Sequence, residues 1–518
     1  MTALIVSCGG TTPKMEEPPP ASPAAPATPI TITHMTEHCN TWPETSTPLL
    51  DEIDQRLGVD WEHVPCIGMG YTDKLRMLFA ANDLPDVFET YWIEEIIQQR
   101  TADLSVAEVQ MHMPTYWKGL STFASKSGLD LDFTLKRYER DGVLKHYPMV
   151  WLAANHGYGF LWRKDYLDEL GMDSPTNLQE WEDVFAAYKS RYPDRYSYGT
   201  NQQFYRAFTA VTHGFGLASG RFLKKGSRLV YSQAQSDMIE VLQVLRRWYE
   251  AGYLAPDLEV NSESEPFESG GAIVKGWEHP SLPPDHPDFR ADMKAANPGA
   301  RFVLTGPPRV AGRFPVIYAW HPMHGNAHGI ARRNNGDRGR VHAILQAVDA
   351  LLEKENAYLI NYGIEGTHWT LGANNRPQWT EEFAEDDARS GLGLGVLGRS
   401  VPLGLNIFAL LGDPDWIDSE RVDYLNQVRF SPNGVLGSNN VCVLTQSFVN
   451  AVEGGTDLRA ANSDLIDESA TLFWQIIAGD QPVSAYQDWI DRYNAGPGLA
   501  IERAATRNWA HLVPECPS

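Results

Sequence analysis

A regular alternation of strand-like and helix-like segments begins at Ile30 and restricts the first part of the chain to an α/β fold. Residues 30–36 read Ile-Thr-Ile-Thr-His-Met-Thr, an alternating, β-branched pattern that is typical of a strand. The full pattern is β-α-β-α-β, with strands at 30–36, 59–64 and 86–88 and helices at 48–57 and 71–81. Because such crossovers are short and right-handed, this pattern predicts a parallel sheet with helices on both faces.

The first helix carries clear start and stop signals. Thr47 is a candidate N-cap, Pro48 occupies the first helical position, and Gly58 ends the apolar stripe. These signals define both ends of the helix that connects the first predicted strand to the second.

Ligands of parallel sheets bind beyond the carboxyl ends of the strands. That rule selects three loops of this chain, at 37–47, 65–70 and 89–92. Trp42, Glu89 and Tyr91 lie in these loops and are candidate ligand contacts. The alternative for each is a packed loop residue.

Length and charge limit the possible functions. The chain has 518 residues, 43% of them hydrophobic, which is enough for two or more cores. Its formal net charge of −23 argues against nucleic acid, whose binding needs clustered Lys and Arg, and favours neutral or cationic ligands. The sequence has no apolar run of the roughly 18 residues that a membrane-spanning helix needs. Sixteen Trp are many for a core alone, so some are expected to face a ligand.

The N-terminus predicts a tethered protein. Residues 4–8, Leu-Ile-Val-Ser-Cys, resemble a bacterial lipobox, in which Cys8 would receive the lipid. The stretch lacks a basic segment and is shorter than a usual signal, so an ordinary cysteine is the alternative. Residues 9–29 contain seven prolines and predict an extended linker.

Five cysteines are present, and none is part of a C-x-x-C pair, which excludes zinc ribbons and thioredoxin-type sites. Cys39 follows the first predicted strand and Cys66 the second. Neighbouring parallel strands lie about 4.8 Å apart, so the two residues are within reach of a disulfide. Free thiols are the alternative, and a Cys442–Cys516 pair is less well supported.

Four segments resemble the family 1 extracellular solute-binding proteins of ABC importers, the LipO-like lipoproteins of carbohydrate uptake. The segments are YTDKLRMLFAANDLPDV at 71–87, GYGFLWRKDYLDELG at 157–171, PTNLQEW at 175–181 and NYGIEGTHW at 361–369. Together with the amphipathic C-terminal helices, the resemblance covers nearly all of residues 30–510.

The resemblance implies a two-lobe periplasmic-binding-protein fold of type II, similar to maltose-binding protein. Each lobe would be a mostly parallel sheet flanked by helices, with a ligand cleft between the lobes. The implied segments are 1–29 (lipobox remnant and tether), 30–150 (N-terminal lobe), 151–324 (C-terminal lobe), 325–375 (return to the N-terminal lobe) and 376–518 (helical remainder of the C-terminal lobe).

The implied function is capture of an oligosaccharide or another small carbohydrate and its delivery to the permease subunits of an ABC transporter. The protein would be an exported, lipid-anchored monomer without a cofactor, at the outer face of the cytoplasmic membrane or in the periplasm. Trp277, at the end of a strand that delivers a side chain to the cleft in this family, and Trp320, near the lobe crossover, join the candidate ligand contacts. Asn155 and Trp369 complete the set.

Other chemistries find little support. His321, His324 and His328 are separated by Pro and Gly residues that prevent helical alignment of a metal site. Many relatives hold calcium in an acidic loop after the second lobe's helix, whereas residues 190–199 have one acidic residue and two arginines, so no calcium is expected there.

Glu94-Glu95 is predicted to be solvated surface. Thr176 and Gln179 predict a capping box, with Trp181 in the core.

Two alternatives stay open. A secreted polysaccharide lyase or glycoside hydrolase would also be acidic and rich in Trp, and would need two carboxyl groups about 5–10 Å apart. A surface sensor or adhesion protein would share the fold and present its ligand to a receptor.

Overall fold

The structure is a computed structural model. It describes residues 29–37, 39–40, 46–91, 93–126, 130–149, 159–199, 208–218, 220–255, 264–278, 283–286, 289–318, 327–372, 377–383, 442–444, 452–453, 456–511 and 513.

The described residues form an α/β protein. The strands are β1 (Ile30–Met35), β2 (Val59–His63), β3 (Val87–Glu89), β4 (Glu139–Arg140), β5 (Val143–Leu144), β6 (Gly159–Arg163), β7 (Tyr198–Gly199), β8 (Phe222–Lys225), β9 (Arg228–Tyr231), β10 (Val274–Glu278), β11 (Phe302–Thr305), β12 (Val316–Tyr318), β13 (His328–Ile330), β14 (Trp369–Leu371), β15 (Pro377–Trp379), β16 (Cys442–Leu444), β17 (Val452–Glu453) and β18 (Thr456–Asp457).

The helices alternate with these strands along most of the chain. They are α1 (Pro48–Leu57), α2 (Tyr71–Ala81), α3 (Glu94–Arg100), α4 (Val106–His112), α5 (Pro114–Lys126), α6 (Leu131–Leu135), α7 (Lys164–Leu170), α8 (Leu178–Arg191), α9 (Thr209–Gly214), α10 (Asp237–Glu250), α11 (Ser264–Glu268), α12 (Ala291–Ala296), α13 (Arg338–Ala350), α14 (Lys354–Tyr362), α15 (Leu458–Ala461), α16 (Ser463–Ala478), α17 (Ser484–Ala495) and α18 (Pro497–Trp509).

The first sheet has the strand order β13-β3-β1-β2. β1 pairs in parallel with both β2 and β3, as the opening pattern predicts, and β13 pairs with β3 in the opposite direction. Helix α1 begins after Thr47, whose side-chain oxygen accepts a hydrogen bond from the Leu50 amide at 3.3 Å. It ends at Gly58, whose φ of 63° lies in the left-handed region that glycine adopts without strain.

Asp86 connects the late strand β13 to the start of the chain. Its carboxylate, only 2% exposed, accepts hydrogen bonds from Arg333 at 3.0 Å, Arg340 at 2.8 Å and Asn334 at 2.8 Å. It also accepts from the Thr33 amide of β1 at 3.1 Å. Removing a charged partner from a buried carboxylate strongly destabilises a protein. The pairing of Asp86 with Arg333 and Arg340 therefore fastens residues 328–350 onto the first sheet.

We call the buried residues around this sheet the first core. It includes Ile32, Trp61 and Phe123, together with Ile344 of α13 and Ile360 of α14. Residues separated by about 300 positions thus pack in one core, and the lobe is assembled from two distant parts of the chain.

The second sheet has the order β11-β6-β10-β7. β6 pairs in antiparallel fashion with both β11 and β10, whereas β10 and β7 are parallel. Three of the four strands therefore run in one direction, and β6 is reversed among them. The first sheet likewise has three strands in one direction, and β13 is its reversed strand.

The second core surrounds this sheet. Trp181 of α8 is fully buried, as the sequence predicts, and meets Trp162 of β6 edge to face at 4.6 Å. Phe473, Trp489 and Ile501 bring helices α16, α17 and α18 into the same core. Replacing Trp181 by alanine would cost about 3–5 kcal/mol of stability, as expected for a large buried side chain.

Two local predictions are wrong in detail. The cap of α8 is Asn177 rather than Thr176, because the Asn177 side chain accepts from the Glu180 amide at 3.0 Å. The Glu180 carboxylate, in place of Gln179, binds back to Thr176 at 2.7 and 2.8 Å. Glu94 is not solvated surface: it is buried and accepts hydrogen bonds from Nε and Nη2 of Arg140, at 2.5 and 2.6 Å.

The loop after α8 is fastened by a cation of the protein itself. The Arg195 guanidinium lies 4.3 Å from the Tyr192 ring centroid and donates to the Tyr166 hydroxyl at 3.1 Å. Lys189 donates to the Arg195 carbonyl at 2.9 Å.

None of the helices in the described parts of the chain is both long and apolar enough to cross a bilayer.

Candidate functional site

A cavity of about 510 Å³ opens at the carboxyl edge of the first sheet. Its lining comes from the three loops that follow β1, β2 and β3, which are the loops that the strand pattern selects, and from the start of α2. The lining residues are Glu37, Asn40, Cys66, Met69, Gly70, Tyr71, Thr72 and Tyr91. We call this cavity the edge pocket.

A disulfide fixes two of these loops. Cys39 and Cys66 are bonded, with their Cα atoms 5.1 Å apart, as their positions after neighbouring strands predict. The Cys66 amide also donates to the Cys39 carbonyl at 3.2 Å. One wall of the edge pocket is therefore held by a covalent bond.

Two tyrosines form the aromatic side of the edge pocket. The rings of Tyr71 and Tyr91 lie 5.2 Å apart and are tilted by 38°. The Tyr71 hydroxyl donates to the Glu89 carbonyl at 2.6 Å, and the Tyr91 hydroxyl donates to the Glu37 carboxylate. Tyr91 has a φ of 48°, a left-handed conformation that is uncommon for a residue other than glycine. Strain of this kind concentrates at functional sites.

Glu89 lies at the end of β3 with only 1% of its surface exposed. Burial, and then the nearby charge of Glu37, raise the pKa of the Glu89 carboxyl well above its ordinary value, and a backbone hydrogen bond from Glu37 acts in the opposite direction. Its Oε2 atom has no hydrogen-bond partner among the described residues. The Glu89 carboxyl therefore favours its neutral form.

A row of histidines crosses the same face of the sheet. His34 of β1 pairs in register with His63 of β2, and His328 of β13 pairs with Glu89. Burial, followed by repulsion from His328, lowers the pKa of His34 to about 3, and burial lowers that of His328 to about 4. These two rings are uncharged at neutral pH. No group of three or more possible metal ligands occurs in the part of the chain that the structure describes.

The predicted ligand contacts have different positions. Tyr91 lines the edge pocket, and Glu89 is buried next to the residues that line it. Trp369 is 5% exposed, stacks on Tyr358 at 6.0 Å and donates its indole N–H to the Gly363 carbonyl at 3.1 Å. It is a packed residue here, and its contact with a ligand stays a prediction.

Other predicted site residues fall beyond what the structure describes. These are Cys8, Trp42, Asn155, Trp320, and the side chain of Trp277. The backbone of Trp277 belongs to β10, directly after Gly276. A Cβ atom at Gly276 would lie 2.7 Å from the Tyr198 hydroxyl oxygen, so any other residue there would displace the buried Tyr198 side chain.

Sequence reasoning missed most of the individual residues of the edge pocket. The lining residues that were not among the candidates are Glu37, Asn40, Met69, Gly70, Tyr71 and Thr72. One signal was present: Tyr71 begins a helix immediately after a loop of the binding edge.

Comparison with known proteins identifies the fold. Neither the scan against protein-family models nor the search of curated proteins finds a match. Among solved structures, the alginate-binding protein AlgQ2 without calcium ion is similar with a TM-score of 0.63 at 14% identity, over 93% of this chain and 98% of that chain.

Two further structures show the same similarity. An HMO-binding, ABC-transporter-associated solute-binding protein from Bifidobacterium longum infantis has a TM-score of 0.64 at 13% identity, over 95% of this chain and 100% of that chain. The substrate-binding protein FusA of S. pneumoniae in complex with kestose has a TM-score of 0.61 at 14% identity, over 92% and 99%. The chain has the two-lobe α/β fold of solute-binding proteins, which confirms the predicted fold class.

Proposed function

We propose that the chain is the carbohydrate-binding component of an ABC importer, and that it binds an oligosaccharide at the edge pocket of its first lobe. The observation that carries the proposal is the lining of this pocket. Two tyrosine rings stand beside a carboxylate, an amide and a hydroxyl group, contributed by Glu37, Asn40 and Thr72. Sugars present C–H faces and hydroxyl edges, and aromatic faces with a few polar partners match both.

The fold supports this proposal independently of the pocket. The similar structures named above include proteins described as binding alginate, HMO and kestose. These similarities extend over more than nine tenths of the chain, so they involve both lobes and the connections between them.

The mechanism is capture by closure of the two lobes. A ligand that touches both lobes only in the closed form shifts the open–closed equilibrium by its preference for that form. Trp277 and Trp320 are the aromatic contacts that we assign to the cleft beyond the edge pocket, with Asn155 and Trp42 as polar and aromatic partners. The closed protein then docks on the permease subunits.

Location follows from the N-terminal segment. We assign lipid attachment to Cys8, and we assign residues 9–29 as the tether that holds the lobes away from the membrane, as in LipO-like lipoproteins. The chain would cross from one lobe to the other near residues 150, 324 and 375. In full-length protein made with a complete export signal, Cys8→Ser should move the protein from the membrane fraction to the soluble fraction.

A thermal-shift screen across neutral, amino and acidic oligosaccharides tests the proposal. A ligand at 100 times its Kd adds about 2.7 kcal/mol to the free energy of unfolding, which is a readily measured shift. Trp277→Ala and Trp320→Ala should weaken the binding of any glycan found, without loss of the fold. Absence of any shift across the whole panel would overturn the proposal, and new reducing ends in the same incubations would instead indicate a hydrolase or a lyase.

A further inference from the structure

Thr90 directly follows β3 and precedes Tyr91 of the edge pocket. It is fully buried, so its side chain does not touch a ligand. Its amide donates to the Ala327 carbonyl at 2.8 Å, and its hydroxyl group donates to the same carbonyl at 3.1 Å. The hydroxyl oxygen also lies 2.8 Å from Nδ1 of the buried His146 ring. Thr90 therefore bonds to two segments that are far apart in the sequence.

The direction of the two side-chain hydrogen bonds follows from the single proton of a hydroxyl group. Because the Thr90 hydroxyl donates to the Ala327 carbonyl, its oxygen accepts from His146, whose Nδ1 atom then carries a proton. Burial, followed by repulsion from Arg140 and Arg137, lowers the pKa of His146 well below its ordinary value. The His146 ring is therefore neutral, with its one proton on Nδ1.

The two segments are the described ends of two connections between the lobes. Tyr147 belongs to the first core, and the chain next enters the second sheet at β6. Val316 belongs to the second core, and Ala327 belongs to the first. The two segments also bind each other: the Tyr147 amide donates to the His328 carbonyl at 3.0 Å, and the His328 amide donates to the Tyr147 carbonyl at 3.1 Å. Both connections are thus fastened to the first lobe at one place, next to Thr90.

Thr90 also holds the backbone around Tyr91. Tyr91 has a left-handed φ of 48°. On one side Thr90 is bonded to Ala327, and on the other side the Ile93 amide donates to the Thr90 carbonyl at 3.0 Å. A strained conformation persists only where the surrounding structure over-determines it. The position of the Tyr91 ring in the edge pocket therefore depends on how firmly Thr90 is held.

We propose that Thr90 couples Tyr91 of the edge pocket to the two connections, and thereby determines how strongly a bound sugar shifts the lobes towards the closed form. This inference rests on the proposed function and adds a positioning residue to it. A sugar that moves the Tyr91 ring moves the backbone of Thr90, and the hydrogen bonds of Thr90 transmit that change to His146 and Ala327. Such coupling is reciprocal, so closure of the lobes also affects the ring.

Two substitutions separate the hydroxyl group of Thr90 from its methyl group. Thr90→Val removes both hydrogen bonds of the hydroxyl group and keeps the methyl group. Thr90→Ser keeps the hydroxyl group and is the matched control. The methyl group packs closely against β13, since a Cβ atom at Gly329 would lie 3.0 Å from Thr90 Cγ2. A role in packing alone would therefore make Thr90→Ser the more damaging substitution.

Hydrogen exchange of the ligand-free, full-length protein, followed by mass spectrometry, measures how firmly the connections are held. In Thr90→Val the amides of residues 144–149 and 327–330 should exchange about tenfold faster, as expected for the loss of buried hydrogen bonds. Thr90→Ser should exchange as the unsubstituted protein does. Exchange in α13, which packs in the same core, should be unchanged in both variants.

Three results of this measurement would overturn the inference. The first is unchanged exchange of the two segments in Thr90→Val. The second is equal acceleration in α13, because that would show a general loss of stability. The third is a larger effect of Thr90→Ser, which would assign the role to packing. If Thr90→Val does not fold, His146→Leu removes the donor to the same hydroxyl group and should also accelerate exchange in the two segments, and unchanged exchange there would again contradict the coupling.

Small-angle X-ray scattering measures the effect on closure, with the neutral, amino and acidic oligosaccharides of the screen as probes. With a bound glycan at saturation, the radius of gyration should decrease less in Thr90→Val than in the unsubstituted protein and in Thr90→Ser. An equal decrease in all three proteins would overturn the inference while the proposed function stands. Failure of every glycan in the screen would overturn the proposed function itself, whereas the hydrogen-exchange measurement needs no glycan and decides the coupling separately.

Discussion

Arg140 and Trp509 form a contact between the two lobes. The guanidinium carbon of Arg140 lies 5.2 Å from the centroid of the Trp509 indole. Arg140 is held in place by its two hydrogen bonds to the buried Glu94, and Trp509 packs against the second core at the end of α18. A fixed cation of the first lobe thus meets an aromatic face of the second lobe.

This contact should contribute measurably to the arrangement of the lobes. A double-mutant cycle with Arg140→Leu and Trp509→Ala is expected to give a coupling free energy of about 0.5–1 kcal/mol, the value for a cation–π pair that is partly exposed. Thermal unfolding of the four proteins supplies the measurement. Additive effects of the two substitutions would show that the residues are close without being coupled.

Stability should fall in mild acid because of the buried histidines. The pKa of His34 is lowered to about 3 and that of His328 to about 4, so the unfolded chain binds these protons first as the pH falls below 6.5. Between pH 6.5 and the pKa of the histidine in the folded protein, each of these residues lowers the free energy of unfolding by about 1.4 kcal/mol for every unit by which the pH falls.

Unfolding midpoints measured from pH 7 downward check this prediction. The dependence should begin near the ordinary histidine pKa of about 6.5, above the range in which most carboxyl groups titrate. In His34→Asn the slope should be shallower. An equal slope in that variant would assign the acid sensitivity to other groups.

Tyr91 should contribute to ligand binding mainly through its ring. Tyr91→Phe removes the hydrogen bond to Glu37 and keeps the aromatic face, so affinity for a glycan found in the screen should fall only a few-fold. Tyr91→Ala also removes the face that stands beside Tyr71 and should lower the affinity about tenfold or more. Calorimetric titration of both variants distinguishes the two contributions. Equal losses would show that the hydroxyl group is the important part.

The Cys39–Cys66 disulfide should stabilise the first lobe. It closes a loop with a sequence separation of 27, for which the loss of chain entropy in the unfolded state predicts about 3–4 kcal/mol. The double variant Cys39→Ser/Cys66→Ser should unfold at a lower temperature and bind glycan more weakly, because the two loops that carry these residues lose their link. Mass spectrometry after alkylation of the unfolded, unreduced protein should find both residues unmodified. Two alkylated cysteines there would contradict the assignment.

Calcium should have no effect on stability. Arg195, with its contacts to Tyr192 and Tyr166, occupies the loop after α8 and leaves a positive charge there. Thermal unfolding with calcium and with a chelator should coincide. Arg195→Ala should lower the free energy of unfolding by about 1–2 kcal/mol through loss of the cation–π contacts with Tyr192 and Tyr166 and of the hydrogen bond to Tyr166, and added calcium should not restore it.

The sequence predicts local structure well where neighbouring residues decide it. Thr47, Pro48 and Gly58 define α1 by caps and by backbone geometry, and α2 has the predicted bounds of 71 and 81. The disulfide follows in the same way, because parallel strands that are consecutive in the chain place Cys39 and Cys66 side by side.

Three other features were not predictable, and one of them depends on a distant part of the chain. Glu94 looks like a surface acid until the hairpin that carries Arg140 folds against it. The large number of tryptophans suggests ligand contacts, but it does not show that the Trp369 indole N–H donates to the Gly363 carbonyl within its own loop. The cap of α8 differs by one residue because Asn177 and Thr176 are both competent acceptors, and the backbone geometry selects between them.

The position of the disulfide also bears on the order in which the chain becomes structured, if it is exported as we propose. Cys39, α1, β2 and Cys66 are consecutive, so this unit would cross the membrane before α2 does. The last strand of the same sheet, β13, begins at His328 and would follow much later. Oxidation of the two cysteines would then set the carboxyl edge of the sheet early, and the sheet would be completed around a finished edge.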